Sequence, residues 1–152
     1  MLKREYPPRP IIGVGAVIMR TDQVLLVRRG SEPGKNQWSV PGGLVELGET
    51  VHETVVREVK EETNLDVEVY GLIDVVNNIV HDKEGKLRFH FVILDFFALR
   101  KGGKLQAGSD VREVKWVPLS QVKKLNLTGI FRDFLERNQE KMQQFATNAT
   151  AL

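Results

Sequence analysis

The chain has 152 residues, 41% hydrophobic and 28% charged, with 22 Lys and Arg against 20 Asp and Glu. That is one ordinary domain with enough apolar material to bury a core, and a net charge of +2 is too small to point to nucleic acid or an anionic membrane as a partner. The absence of cysteine excludes disulfides and thiolate-bound zinc.

Residues 1–10, MLKREYPPRP, read as an irregular arm, because Pro7, Pro8 and Pro10 block regular pairing. The arm has no apolar stretch of the kind a secretory signal needs. The longest apolar runs, IIGVGAVIM and FVILDFFAL, are too short to span a bilayer, so a cytoplasmic protein without membrane partners is expected. Residues 11–19 are β-branched and apolar and predict a buried strand. Residues 24–28 predict a second strand, joined to the first as a hairpin through the turn at Thr21 and Asp22. GSEPGKNQ is a polar loop, and residues 38–40 form a short strand ending at Pro41-Gly42-Gly43.

A helix is predicted from Glu49 and Thr50 to about residue 63. Val51, Val55 and Val59 recur every four positions and make one apolar stripe. Asn64 stands where a helix end needs a left-handed residue. Strands resume over 67–76 and 87–99, with HDKEGK as the hairpin tip. The second is apolar on both faces, which places it inside the sheet. KGGKLQAGSD is a loop, 114–118 a short strand, and Ser120 a candidate cap for a short helix. A last helix starts near Thr128, with Ile130, Phe131, Phe134 and Leu135 at helical spacing, and 146–152 read as a frayed tail. Strands on both sides of one helix, plus a terminal helix, give an α+β fold with mixed sheets, in a single domain over 1–152.

The central helix carries an anomaly. Glu58, Glu61 and Glu62 lie within five residues. At about 100° per residue they share an arc of about 100°, and that arc overlaps the edge of the valine stripe. Carboxylates crowded beside a buried face repel one another and resist desolvation. Arg57 and Lys60 do not neutralise Glu53, Glu58, Glu61 and Glu62 together. A divalent ion does, and oxygen-only ligands suit Mg²⁺, with Mn²⁺ as the alternative. The plain alternative is a solvated helix face behind an ordinary glycine turn.

A resemblance bears on the choice between the two. Gly43, five residues, Glu49, seven residues, then Arg57-Glu58-Val59-Lys60-Glu61-Glu62-Thr63-Asn64-Leu65 resembles the Nudix hydrolase box, G-x5-E-x7-R-E-U-x-E-E-x-G-U. The single departure is Asn64 in place of the final Gly, a mild one because Asn tolerates the left-handed cap. The resemblance implies an α/β/α sandwich with a mixed β-sheet. It also implies Mg²⁺-dependent hydrolysis of a nucleoside diphosphate linked to another group. Carried over by position, Glu58, Glu61 and Glu62 bind metal, the Gly43 carbonyl adds a ligand, Arg57 orients a glutamate, and Glu49 supports the box through Arg57.

Relatives often draw one more carboxylate from the loop before the last strand, where this chain has Asp110 and Glu113. Glu113 is the preferred candidate for this carboxylate, as base or extra metal ligand. Arg29, ending the second strand, is a candidate contact for phosphate or base. Trp38 is a candidate stacking surface, with core packing as its other reading. The substrate expected is a small nucleotide, ADP-ribose cleaved to AMP and ribose 5-phosphate. The alternatives are (deoxy)nucleoside triphosphates in a nucleotide-pool role and a non-catalytic nucleotide sensor. A homodimer is the expected assembly.

Overall fold

The computed structural model describes residues 3–150. In chain order the elements are strands β1 (Ile11–Arg20), β2 (Gln23–Arg29), β3 (Trp38–Ser39) and β4 (Gly42–Leu44), then helix α1 (Val51–Thr63). Strands β5 (Asp66–His81), β6 (Leu87–Gly102) and β7 (Val111–Pro118) follow. A 3₁₀ helix (Leu119–Lys124) and helix α2 (Gly129–Thr150) complete the fold.

The strands join in the order β3-β2-β1-β6-β5, with β4 added to β1 and β7 to β2. β1 runs parallel to β6 from Ile11 to Ile18, and the other pairings are antiparallel. β1 is apolar from Ile11 to Met19, and from Gly13 to Met19 it is buried. Val17 and Met19 join a core with Phe131, Phe134 and Leu135 of α2. Val14, Ala16 and Ile18 join a second core with Val55 and Val59 of α1. A helix on each side of a mixed sheet is the expected α/β/α sandwich, and β6 lies inside the sheet as its two apolar faces require.

The expected hairpin of the first two strands holds only at its tip. β1 and β2 pair at Met19–Val24 and Arg20–Gln23. Beyond that β2 leaves β1 and pairs along its length with β7.

Three further expectations change. β7 begins at Val111 rather than 114, so Glu113 lies within a strand. Ser120 lies inside the 3₁₀ helix, which begins after Pro118 with no side-chain cap. The tail does not fray where expected, since α2 runs to Thr150. Met142 and Ala146 are buried, and Phe145 stacks on Phe97 with ring centroids 4.0 Å apart, so the apolar stripe holds this last part of the helix to the sheet. Residues 151 and 152 of that tail, and 1 and 2 of the arm, lie outside the described residues. Residues 3–10 form no strand or helix, although Tyr6 donates its hydroxyl to Asp82 at 2.8 Å.

The box helix is capped at both ends. Thr50 accepts from the Glu53 N–H at 3.1 Å, and Glu53 accepts from the Thr50 N–H at 3.1 Å, a complete capping box. At the far end Asn64 takes φ 64° and donates its N–H to the Lys60 carbonyl. Replacing Thr50 by Ala removes one partner of the reciprocal pair. It is expected to cost about 1 kcal/mol, or about 2–4 °C in melting temperature for a domain of this size. Calorimetry measures this, and an unchanged melting temperature would mean that the cap does not hold the helix start.

The loop between β6 and β7 is tied to the end of the same helix. Gln106 and Gly108 donate N–H groups to the Thr63 and Glu62 carbonyls, each at 3.0 Å. A side chain at Gly108 would overlap the Glu61 carbonyl, so glycine permits this close approach. Helix α1, β4 and the β6–β7 loop thereby meet at one place.

Candidate active site

A cleft of about 1000 Å³ opens where these elements meet. Glu58, Glu61 and Glu62 line it from α1, Gly42 and Gly43 from β4, Arg29 from β2, and Asp110 from the β6–β7 loop. Residues far apart in sequence reach it because β1 carries β4 on one edge and β6 on the other.

Arg57 organises the acidic wall. Its Nε and Nη2 grip the Glu49 carboxylate at 2.7 and 2.9 Å. Nη2 also donates to the Leu44 carbonyl at 3.0 Å. Nη1 donates to Glu58 at 2.8 Å and to Glu61 at 3.3 Å. One guanidinium thus fixes Glu49 in a two-point grip and still faces Glu58 and Glu61, with Glu46 at 3.7 Å, a task that needs the planar fork of arginine. The hydrogen bonds from Arg57 hold the Glu49 carboxyl down at about 2.

The other carboxyls are pushed the opposite way. Burial raises Glu62 to about 8, against the hydrogen bond from the Gly42 N–H at 2.9 Å and with help from the nearby charges of Glu58 and Asp110. Burial also raises Glu58, only partly offset by Arg57. The Glu58 carboxylate lies against the Gly43 backbone, in space that a Cβ at 43 would fill. Arg29, lowered by burial, faces the Glu62 charge and is anchored by its Nε on the Pro33 carbonyl at 2.7 Å.

Two candidates from the sequence stand elsewhere. Glu113 does not line the cleft. Its position in β7 registers it with Arg28 of β2, and its carboxylate pairs with Arg28 Nη2 at 3.0 Å. The carboxylate that the loop does present to the cleft is Asp110. Trp38 also stays out of the cleft. It is 7% exposed, packs in the α2-side core, and has Lys115 Nζ 4.5 Å from its ring centroid.

One cleft residue was missed by the sequence reading. Asp95, in the middle of β6, is 5% exposed and lines the cleft. Burial, reinforced by the charge of Asp74, lifts its carboxyl to about 7. The signal was a lone acid inside the apolar run FVILDFFAL.

The donors fit a hard divalent ion in kind, being carboxylate oxygens, two of which, on Glu58 and Glu61, already meet at Arg57. Among the described residues no group of three or more His, Asp or Glu side chains is arranged to hold a metal ion. Mg²⁺ ordinarily keeps several waters and takes only one or two carboxylates together with substrate phosphates, so an open wall is the form that suits it.

The pH dependence of this wall gives a test. Glu62 and Asp95 have folded-state values near 8 and 7, above ordinary values of 4.5 and 3.8. Between those limits the folded protein holds protons that the unfolded chain has released. Metal-free stability therefore falls as pH rises toward 8. A cation held by ionised glutamates of this wall would displace the proton on Glu62. The rise in melting temperature produced by Mg²⁺ is expected to be small at pH 5 and to grow up to pH 8. Glu49 titrates below this window. Scanning fluorimetry across pH reads the trend, and a Mg²⁺ shift independent of pH would contradict it.

Comparison with known proteins bears on this geometry. The model of the NUDIX domain matches residues 9–137. The chain belongs to the NUDIX domain family. Over 116 residues this NUDIX domain is 39% identical to the ADP-ribose pyrophosphatase of Methanocaldococcus jannaschii, covering 76% of this chain and 66% of that protein. The chain thus spans just under two thirds of that relative's length. Among solved structures, it is similar to a MutT NUDIX hydrolase from Burkholderia pseudomallei. The TM-score is 0.73 at 29% identity, covering 84% of this chain and 97% of the other. It is also similar to the NUDIX domain of Shewanella oneidensis NrtR complexed with ADP ribose. There the TM-score is 0.69 at 26% identity, with 88% and 89% covered. Among the described residues no helix is long and apolar enough to cross a membrane.

Proposed function

We propose that this NUDIX domain hydrolyses the pyrophosphate linkage of a nucleoside diphosphate derivative, and that ADP-ribose, cleaved to AMP and ribose 5-phosphate, is its preferred substrate. The observation that carries the reading is the convergence of Glu58, Glu61 and Glu62 with Gly43, Arg29 and Asp110 on one cleft. The relative that is an ADP-ribose pyrophosphatase and the similar domain that holds ADP ribose support the choice of substrate.

Bound Mg²⁺ supplies charge neutralisation of the pyrophosphate oxygens and a water of lowered pKa. Glu58, Glu61 and Glu62 would hold it, with Gly43 leaving room for the Glu58 carboxylate. Arg57 keeps Glu58 and Glu61 aimed at the cleft by bridging them to Glu49. Arg29 offers its guanidinium to a phosphate oxygen. Asp110, which lines the cleft where Glu113 does not, would be the base that takes the proton of the attacking water. The new bond is from the water oxygen to phosphorus, and the bond broken is from phosphorus to the bridging oxygen, which leaves on the second phosphate.

Self-association belongs to the same reading. β5 ends the sheet and exposes Leu72, Val75 and Ile79, each about half accessible. An apolar sheet edge of this length favours pairing with a second copy. Light scattering would read a dimer, and a monomer at all concentrations would remove this part.

The substrate is tested by comparing kcat/KM for ADP-ribose with a set of (deoxy)nucleoside triphosphates under Mg²⁺. A clear preference for ADP-ribose is expected. Pyrophosphate release from a triphosphate with ADP-ribose untouched would move the domain to a nucleotide-pool role.

A further inference from the structure

The N-terminal arm is held down at Tyr6. The Tyr6 hydroxyl donates to Asp82 at 2.8 Å, and the Tyr6 N–H donates to the Arg88 carbonyl at 2.8 Å. Glu5 pairs with Arg88 Nε at 3.1 Å, and Lys86 Nζ lies 4.8 Å from the Tyr6 ring centroid. Asp82 is itself fixed, since it accepts from the Glu84 and Lys86 N–H groups of its own turn at 3.0 and 2.9 Å. The arm is clamped to the tip that joins β5 to β6.

Tyr6 takes φ 49°, in the left-handed region that a bulky residue seldom enters. Such a conformation persists only where surrounding contacts over-determine it, and ligand clamps are among the places where it is found. The turn lies between β1 and Arg4, and Arg4 lines the cleft.

Arg4 is exposed, and within the described residues its guanidinium takes part in no hydrogen bond or ion pair. Its charge nonetheless acts on the site. Burial is the chief cause that raises Glu58 and lowers Arg29, and the Arg4 charge opposes the first shift and adds to the second. Arg4 is therefore within electrostatic reach of both the acidic wall and Arg29. Two guanidiniums placed to repel each other are stabilised by an anion that both can share.

We propose that Arg4 is a substrate-binding residue, delivered by the clamped arm, whose guanidinium contacts a phosphate of the substrate's diphosphate together with Arg29. The inference rests on the nucleotide reading of the cleft. The planar fork of arginine matches the oxygens of a phosphate, and Arg4 has all of its donors free of protein partners among the described residues.

The test compares the wild type with Arg4→Ala and Arg4→Lys, by steady-state kinetics with ADP-ribose and Mg²⁺ and by calorimetric binding of ADP-ribose in EDTA. Arg4→Ala is expected to raise KM and Kd about 10-fold, the lower part of the range for a hydrogen bond to a charged group. Its kcat should change by less than about threefold, the pattern of lost binding rather than lost chemistry. Lysine should recover part of the loss. Raising NaCl to about 0.5 M should narrow the gap between wild type and Arg4→Ala, because the contact is open to solvent. Tyr6→Ala removes the clamp. It should raise KM when Arg4 is present and add nothing in the Arg4→Ala background, the non-additivity of two residues acting through one contact.

KM and Kd of Arg4→Ala within about twofold of wild type would overturn the proposal and leave Arg4 as a counter-charge to Glu58. A loss indifferent to salt, or a Tyr6→Ala effect that persists in full without Arg4, would overturn it as well. Weakened binding by Arg4→Ala with no hydrolysis by the wild type would sink the proposed function and leave Arg4 in its role. Hydrolysis with unchanged KM would do the reverse. A wild type that neither binds nor hydrolyses ADP-ribose would remove both.

Discussion

Replacing Glu61 by Gln is expected to lower kcat/KM by about 10²–10³-fold, the scale of losing one group that stabilises charge in a transition state. The melting temperature of the metal-free protein should move by no more than about 2 °C. The two effects separate because of where Glu61 sits. Its side chain is 54% exposed and its partner within the described residues is Arg57, at 3.3 Å, a contact that contributes little to stability in water. Its value lies in the charge it presents to the cleft. Gln keeps the shape and the helix propensity and removes that charge. Near-normal turnover in this variant would show that the acidic wall is a solvated helix face.

Arg57→Met should fail in both respects. It strips the donors from the Leu44 carbonyl and from both oxygens of Glu49, and it frees Glu58 and Glu61 to repel each other. Groups that orient metal ligands typically account for about 10- to 100-fold in affinity or activity, and kcat should fall by that factor. The melting temperature should fall as well, since the half-buried Glu49 loses its partner. Arg57→Lys is expected to recover little. One ammonium cannot grip Glu49 at two points and also face Glu58. Full activity in the lysine variant would mean that Arg57 acts only as a positive charge.

The local grammar of the chain was legible in advance. The helix start at Glu49 and Thr50, the valine stripe and the left-handed Asn64 are properties of short stretches, and the structure has them close to where the residues require. The box spacing named the acidic wall for the same reason. What was not legible depended on partners distant in sequence. Val111-Arg112-Glu113-Val114 reads equally as loop or strand. Pairing with β2, with a register shift at Arg28 and Arg29, makes it strand and turns Glu113 toward Arg28. Trp38 could have faced a ligand. β3 instead places it against Leu127 and under Lys115. Helix α2 runs on past the start of the expected tail, and Met142, Phe145 and Ala146 recur at helical spacing there. Asp95 was visible as an acid in an apolar run, but its place beside Gly15 is made by the parallel pairing of β1 and β6.

The most direct test of the account is chromatographic analysis of the products formed from ADP-ribose with Mg²⁺ and with excess EDTA. The account predicts AMP and ribose 5-phosphate in equal amounts with Mg²⁺ and none with EDTA. ADP-ribose recovered intact with Mg²⁺, from a protein that binds it tightly, would contradict the hydrolase reading and make the domain a nucleotide sensor.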